Sequence, residues 1–142
     1  MAAPTAEVGA QVAAPGTGFH GHGETVLFVD DEAAVREVGY TVLERLNVQP
    51  VLAIDGADGL VQATAHRDRL RAVITDLHMP HMDGLAFVRA LRRSLPDVPV
   101  ILASGRVDDA VAADMQALGV TLRLDKPFTQ EQLARALQVV LG

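Results

Sequence analysis

The sequence of 142 residues contains no cysteine and no tryptophan, and aromatic residues make up only 4% of it. Without cysteine, disulfide bonds, thiolate metal sites and cysteine nucleophiles are excluded. Because aromatic side chains are so few, the core must be aliphatic, and 49% of the residues are hydrophobic. A chain of this length has room for one ordinary domain with one core.

Basic residues are outnumbered, with 12 Lys and Arg against 18 Asp and Glu, and the formal net charge is -6. A nucleic-acid surface needs clustered basic side chains, so this charge balance argues against one. No apolar run approaches the roughly 20 residues of a membrane-spanning helix. The N-terminus also lacks the basic start and apolar segment of a secretory signal. We therefore expect an acidic cytoplasmic domain without direct membrane contact.

The first 23 residues, MAAPTAEVGAQVAAPGTGFHGHG, are rich in Ala and Gly and carry almost no charge. They show no sustained hydrophobic period, which predicts a flexible linker or tail at 1–23 and a folded domain at 24–142. His20 and His22 lie in this stretch, and we interpret them as incidental rather than as metal ligands.

From residue 25 onward, short apolar runs alternate with segments whose apolar residues are spaced for helices. The runs are TVLFV (25–29), VLAI (51–54), AVIT (72–75), VILA (100–103) and VTLRL (120–124). The helical spacings are Val35, Val38, Val42, Leu46; Leu60, Val61, Thr64; Leu85, Val88, Leu91, Leu95; Val111, Met115, Leu118; and Leu133, Leu137, Val140. Five strands alternating with five helices predict an α/β fold with a parallel sheet covered on both faces.

The polar content of the strands suggests their order. Pro50 lies at the start of the second strand, where an edge tolerates proline, and Arg123 in the last strand suggests the other edge. The first, third and fourth runs are apolar on both alternating faces, as expected for central strands. These features favour the flavodoxin-like doubly wound order 2-1-3-4-5.

Polar residues follow four of the predicted strands. Asp30-Asp31-Glu32 follow the first, Asp76 the third, Ser104-Gly105 the fourth and Asp125-Lys126-Pro127 the fifth. Ligands of such sheets bind outside the carboxyl ends of the strands, so these groups should surround one crevice. Lys126 is the single lysine among the basic residues, which suggests that a compact ammonium is needed at its position.

Three carboxylates in one crevice repel each other unless a cation is bound, and one lysine offsets only part of their charge. Oxygen ligands without His or Cys suit Mg2+, with Mn2+ as an alternative. A divalent cation beside an ammonium and a hydroxyl would bind a phosphoryl group. A central carboxylate could then act as nucleophile, and Asp76, at the end of the central strand, is the best-placed candidate.

Taken singly, each residue has an ordinary explanation. Asp30 or Asp31 could cap the helix that begins near Ala33, because acidic residues favour helix N-termini. Asp76 could be a solvated loop acid, and Lys126 a surface charge. Their joint placement at consecutive strand ends favours a site.

These motifs, FVDDE, DLHMPHMDG, SG and DKPF in that order, resemble the receiver domain of bacterial two-component response regulators over residues 25–142. The resemblance implies that Asp76 accepts a phosphoryl group from the phosphohistidine of a histidine kinase or phosphotransfer protein. It implies Mg2+ binding by Asp31 directly, Asp30 through water, Asp76, and the main-chain carbonyl of His78.

The resemblance also implies roles for the two remaining polar positions. Lys126 would pair with Asp76 and later with a phosphate oxygen, across a cis Lys126–Pro127 bond. Ser104 would move its hydroxyl toward the phosphate and so couple the modification to the loop that follows it. We expect His78 and His81 to be loop residues without side-chain ligand duty, and His78 to tune the access of water to the acceptor.

Two positions depart from the family pattern. Arg123 stands where receivers often carry a switching Tyr or Phe, three residues before the lysine, and Gly105 replaces the more usual Ala. Switching would then rely on Ser104 and the 104–110 loop, with Arg123 expected to pair with an acid on the fourth helix.

The leading hypothesis is therefore a signalling domain rather than an enzyme acting on outside substrates. The alternative is a pseudo-receiver that binds a protein without phosphate. A haloacid-dehalogenase-type phosphatase would need Asp-x-Asp after the first strand, and a flavodoxin a hydroxyl-rich loop there; neither is present. We expect a monomer or weak homodimer, either a stand-alone receiver without an output domain or the C-terminal receiver of a hybrid sensor kinase.

Overall fold

The computed structural model describes residues 19–142. The strands are β1 (Thr25–Val29), β2 (Gln49–Ala53), β3 (Leu70–Thr75), β4 (Val100–Ser104) and β5 (Leu122–Asp125). The helices are α1 (Ala33–Arg45), α2 (Gly56–Ala65), α3 (Gly84–Ser94), α4 (Asp109–Ala117) and α5 (Gln130–Leu141). Within these residues, no helix is both long and apolar enough to cross a membrane.

The five strands form one parallel sheet in the order β2-β1-β3-β4-β5, which confirms the predicted architecture. The register places Val29 beside Ala53 on one side and Thr75 on the other. All three of these strands therefore end at the same level. The residues that follow β1 and β3 consequently leave the sheet side by side.

Two aliphatic cores lie on opposite faces of the sheet, as expected for central strands that are apolar on both faces. One face packs against α1 and α5, with Phe28, Leu43 and Leu137 at its centre. The other packs against α2, α3 and α4 and includes Phe87 and Met115. The strand ends are thus held between two packed layers.

Two valines among the residues spaced for helices are exposed: Val38 is 55% and Val61 is 62% accessible. Each helical residue turns the side-chain direction by about 100°. Relative to the buried residues of α1, Val38 lies about 90° to one side. Val61 lies on the side of α2 away from its buried residues. A 3–4 residue spacing of apolar residues therefore does not by itself identify the buried face of a helix.

The predicted tail, 1–23, lies outside the described residues as far as position 18. At 19–23 the chain packs against the turn between α1 and β2. Phe19 is buried in the core beside α1. The N–H of Gly21 donates to the carbonyl of Leu46 at 2.6 Å, and Asn47 Nδ2 donates to the carbonyl of Gly21 at 2.7 Å. Phe19 thereby extends the aliphatic core by one aromatic ring.

Candidate phosphoacceptor and metal site

Three carboxylates meet where β1 and β3 end. Asp30, Asp31 and Asp76 each present an oxygen, and these oxygens lie within 4.8 Å of one another. Asp30 and Asp76 are 1% and 7% accessible, whereas Asp31 is exposed. The N–H of Asp76 donates to the carbonyl of Val29 at 3.0 Å, which ties the two strand ends together. The crevice therefore has two buried acids below and one exposed acid at its mouth.

Lys126 reaches this cluster from the end of β5. Its Nζ lies 2.6 Å from Asp30 Oδ2 and 3.3 Å from Asp76 Oδ2. Burial lowers the pKa of Lys126, but the hydrogen bond and charge of Asp30, with a further contribution from Asp76, outweigh it, and the pKa is raised. The side chain is therefore held as an ammonium ion. The Lys126–Pro127 peptide bond is cis, as predicted.

The carboxylate of Asp76 is fixed by one oxygen and faces the ammonium with the other. Its Oδ1 accepts a hydrogen bond from the N–H of Leu77 at 2.8 Å, and its Oδ2 points to Lys126. Burial raises the pKa of Asp76, the charge of Lys126 lowers it, and the charge of Asp30 raises it again; the net shift is upward. The negative charge on Asp76 is therefore only partly compensated by the described side chains.

The helix-capping explanation for Asp30 and Asp31 is wrong. The N-cap of α1 is Glu32, which makes no side-chain cap hydrogen bond. Asp30 Oδ1 instead accepts from the N–H of Glu32 at 2.9 Å, and its main-chain carbonyl accepts from Arg36 Nη1 at 2.8 Å. Glu32 holds Oδ1 of Asp30 and Lys126 holds its Oδ2, so the position of the Asp30 carboxylate in the crevice is fixed.

The donor set fits a hard divalent cation. Among residues 19–142, this is the one group of three or more His, Asp or Glu side chains close enough to share a metal ion. One ammonium offsets one of three negative charges, and burial, together with the charge of Asp30, keeps the pKa of Asp76 raised despite the charge of Lys126. Carboxylate oxygens are ligands that such cations prefer. Asp30, Asp31 and Asp76 could therefore bind a divalent cation.

This fit predicts that Mg2+ stabilises the protein through Asp31. A ligand present at ten times its dissociation constant adds about 1.4 kcal/mol to the free energy of unfolding. Urea unfolding with and without Mg2+ should show a gain of this order for the wild type. Asp31→Asn should lose most of that gain, whereas Asp68→Asn, an exposed acid between α2 and β3, should keep it. An equal gain in both variants would contradict the site.

Ser104 lies at the end of β4 and is buried. Its hydroxyl donates to the carbonyl of Arg106 at 3.2 Å, and the N–H of Arg106 approaches the same hydroxyl at 3.4 Å. The side chain of His78, in the loop after β3, is exposed, and its Nε2 lies 3.1 Å from the same carbonyl. His81 lies in this loop with a φ of 69°.

Arg123 does not pair with an acid on the fourth helix. Its Nε and Nη2 lie 3.0 Å from Asp125 Oδ1. Both residues belong to the edge strand β5, and side chains two apart on a strand point to the same side. The nearest carboxylate is therefore on the strand itself, which the prediction overlooked.

Gly84, the last residue of the DLHMPHMDG motif, positions the site by its lack of a side chain. A Cβ at Gly84 would collide with the main-chain carbonyl of Asp76 and lie 2.9 Å from Cα of Leu77. Its N–H donates to the carbonyl of Leu77 at 2.8 Å. Glycine therefore allows α3 to begin directly against the acceptor segment, and the DG pair at 83–84 was the available signal.

Comparison with known proteins places these features in a family. The family model described as the response regulator receiver domain matches residues 26–138. The chain is 32% identical over 120 residues to the chemotaxis protein CheY1 of Helicobacter pylori, covering 82% of this chain and 96% of CheY1. It is 35% identical over 117 residues to the sensor kinase CckA of Brucella abortus, covering 82% of this chain but 12% of CckA.

A solved structure shows the same fold. The chemotaxis protein CheY4 of Vibrio cholerae superposes with a TM-score of 0.78 at 30% sequence identity. The match covers 84% of this chain and 100% of that one. The described part of the chain outside this likeness is therefore small.

Proposed function

Because the chain belongs to the family of response regulator receiver domains, we propose that it is the phosphoacceptor of a His-Asp phosphorelay, with Asp76 as the modified residue. One observation carries the proposal. Asp76, at the end of the central strand, faces an ammonium at 3.3 Å and shares its crevice with two further carboxylates. Such a crevice binds a cation and, through it, a phosphoryl group.

The reaction is a transfer between two side chains. A carboxylate oxygen of Asp76 attacks phosphorus, the new P–O bond forms, and the P–N bond to the donor imidazole breaks with its electron pair leaving on nitrogen. Lys126 stays protonated and offsets negative charge that gathers on the phosphoryl oxygens. Hydrolysis reverses the modification when water attacks phosphorus, which releases phosphate and restores the Asp76 carboxylate.

We further propose Mg2+ as the cation, with Mn2+ as a substitute. Asp30, Asp31, Asp76 and the main-chain carbonyl of His78 would hold it. When bound, it supplies positive charge that offsets both the carboxylates and the incoming phosphoryl oxygens. Lys126 supplies one positive charge, whereas three carboxylates meet in the crevice.

The donor would be a histidine kinase or a phosphotransfer protein that docks beside Lys126. A groove of about 400 Å3 opens there. It is lined by Glu32, Ala34, Val35, Val38, Lys126, Pro127 and Phe128. The groove is mainly apolar, and Val38 remains 55% accessible on its rim. An apolar helix of the donor would cover this surface and bring its phosphohistidine to Asp76.

Val38→Asp should separate docking from chemistry. Burying a new charge in the interface is expected to slow phosphotransfer from the cognate kinase at least about tenfold. Labelling by acetyl phosphate should be unchanged, because no protein docks in that reaction. Val61→Asp, an equally exposed valine on α2, is the matched control and should leave both rates unchanged. If Val38→Asp and Val61→Asp behave alike with the kinase, the groove is not the docking surface.

The alternative function is a pseudo-receiver that binds a protein without being phosphorylated. Beryllofluoride with Mg2+ distinguishes the two, because it mimics a phosphoryl group only at a competent aspartate. A phosphoacceptor should show amide chemical-shift changes in the 104–110 loop and α4 on addition of both reagents. A pseudo-receiver should show none.

The parent protein could be of two kinds. The chain spans almost all of CheY1 but a small part of CckA, which is named as a sensor kinase. We propose that residues 24–142 act as the receiver unit in either context, with 19–23 packed on it. In a hybrid kinase, the parent chain would supply the kinase activity that this domain does not provide itself.

A further inference from the structure

One main-chain carbonyl joins the loop after β3 to the loop after β4. The carbonyl oxygen of Arg106 lies 3.2 Å from Ser104 Oγ and 3.1 Å from His78 Nε2. A carbonyl only accepts hydrogen bonds and has two lone pairs, so it can take both. Nε2 of His78 must then carry the proton of its bond. His78 and Ser104 are thus both donors to the same oxygen.

This arrangement affects Ser104 because its hydroxyl already donates its proton to the Arg106 carbonyl. β3 and β4 pair with Thr75 beside Leu102, so Ser104 and Asp76 both lie just beyond this pair, at the carboxyl edge of the sheet. A hydroxyl has one proton to donate. Ser104 must therefore release the Arg106 carbonyl before it can donate to a phosphoryl oxygen on Asp76. The position of that carbonyl decides how readily this happens.

The segment around Arg106 contains a glycine and is contacted by a side chain from another loop. A Cβ at Gly105 would meet no atom within 4 Å, so glycine is not required there by packing. Glycine instead leaves the backbone freer than any other residue would. The His78 side chain comes from a different loop, 28 residues earlier, and fixes the carbonyl from outside.

We propose that His78 is a positioning residue that holds the Arg106 carbonyl where it retains the Ser104 hydroxyl in the unphosphorylated protein. Phosphorylation of Asp76 offers Ser104 a charged acceptor, which is the stronger hydrogen-bond partner. Ser104 then leaves, and the Arg106 carbonyl loses one of its two side-chain hydrogen bonds. This inference rests on the proposed phosphoacceptor function and adds a regulatory contact to the same site.

A double-mutant cycle tests the contact. His78→Ala keeps the main-chain carbonyl of residue 78 but removes the ring. Loss of one neutral hydrogen bond should release Ser104 more easily and raise the rate of phosphorylation by acetyl phosphate about two- to tenfold. His78→Gln, whose amide can donate to the same carbonyl, should restore most of the wild-type rate. His81→Asn, in the same loop, should not change it; asparagine tolerates the positive φ there.

The decisive arm is the Ser104→Ala background. If His78 acts through Ser104, His78→Ala should have no effect on the phosphorylation rate once the hydroxyl is gone. An unchanged effect of His78→Ala in that background would overturn the inference. So would a change confined to the hydrolysis rate, because His78 would then act on water at the phosphoryl group.

A further measurement separates failure of the His78 contact from failure of the proposed phosphoacceptor function. If the wild type is not phosphorylated, the amide resonances of Ser104 and Arg106 still report the contact. His78→Ala should shift both amides in the unphosphorylated protein, His78→Gln should shift them less, and His81→Asn should leave them in place. Absence of any shift in His78→Ala would refute the contact, whatever the phosphorylation result.

Discussion

Replacing Asp76 by Asn is expected to abolish phosphorylation by both acetyl phosphate and the cognate kinase. The amide lacks the negative oxygen that attacks phosphorus. Among the described carboxylates near Lys126, Asp76 is the one that directly follows the central strand β3. Asp83→Asn is the matched control, because asparagine can also cap α3 through the contact that Asp83 makes with the N–H of Ala86. That variant should be labelled at the wild-type rate.

Asp76→Asn should also make the metal-free protein more stable at neutral pH. Burial raises the pKa of Asp76 above its ordinary value of 3.8, so the folded state disfavours the carboxylate. A neutral isostere removes that cost and should add roughly 1 kcal/mol to the free energy of unfolding. For a domain of this size, the gain corresponds to about 3–5 °C in melting temperature.

The pH dependence of this gain follows from the direction of the shift. A raised pKa in the folded state means that wild-type Asp76 is no longer a burden once it is protonated. The advantage of Asp76→Asn should therefore be full above the raised pKa and disappear as the pH falls to the unfolded value. A stability loss in the variant at pH 7 would show that the pairing with Lys126 outweighs the burial of Asp76.

Replacing Lys126 by Ala should destabilise the metal-free protein by about 3–5 kcal/mol, the usual cost of removing one partner from a buried ion pair. Asp30 would keep its buried charge at 1% exposure without the ammonium that now lies 2.6 Å away. Repulsion from Asp76 would add to the cost. Urea unfolding in the presence of a chelator measures the effect.

Arg135→Ala is the control for loss of a basic side chain. Arg135 pairs with Glu131 on the exposed side of α5, where such pairs contribute about 0.3–0.5 kcal/mol. Mg2+ should recover part of the stability of Lys126→Ala, because it offsets the same carboxylates, and none of the loss in Arg135→Ala. A loss below about 1 kcal/mol in Lys126→Ala would contradict a closely coupled site.

Much of the fold was predictable because its signals are local. Short apolar runs that alternate with segments of helical spacing indicate a parallel sheet. Pro50 and Arg123 marked β2 and β5 as its edge strands. The convergence of Asp30, Asp31, Asp76 and Lys126 then follows from topology, since parallel strands present their carboxyl ends at one side of the sheet.

The features that the sequence did not predict depend on where side chains point, rather than on where their residues lie along the chain. Val38 fits a helical spacing, but only the packed helix shows that it faces outward beside Lys126. We expected Arg123 to pair with an acid on α4, whereas it pairs with Asp125 on its own strand. The contact between His78 and the Arg106 carbonyl joins two loops, and no periodicity relates residues on separate loops.

The most direct test of a phosphoacceptor at Asp76 is the mass of the intact protein after incubation with acetyl phosphate and Mg2+, followed by peptide mapping. The expected result is a gain of one phosphoryl group, located on the peptide that contains Asp76 and absent when Mg2+ is chelated. No gain in a folded, Mg2+-binding protein, or a gain located on another residue, would contradict the account.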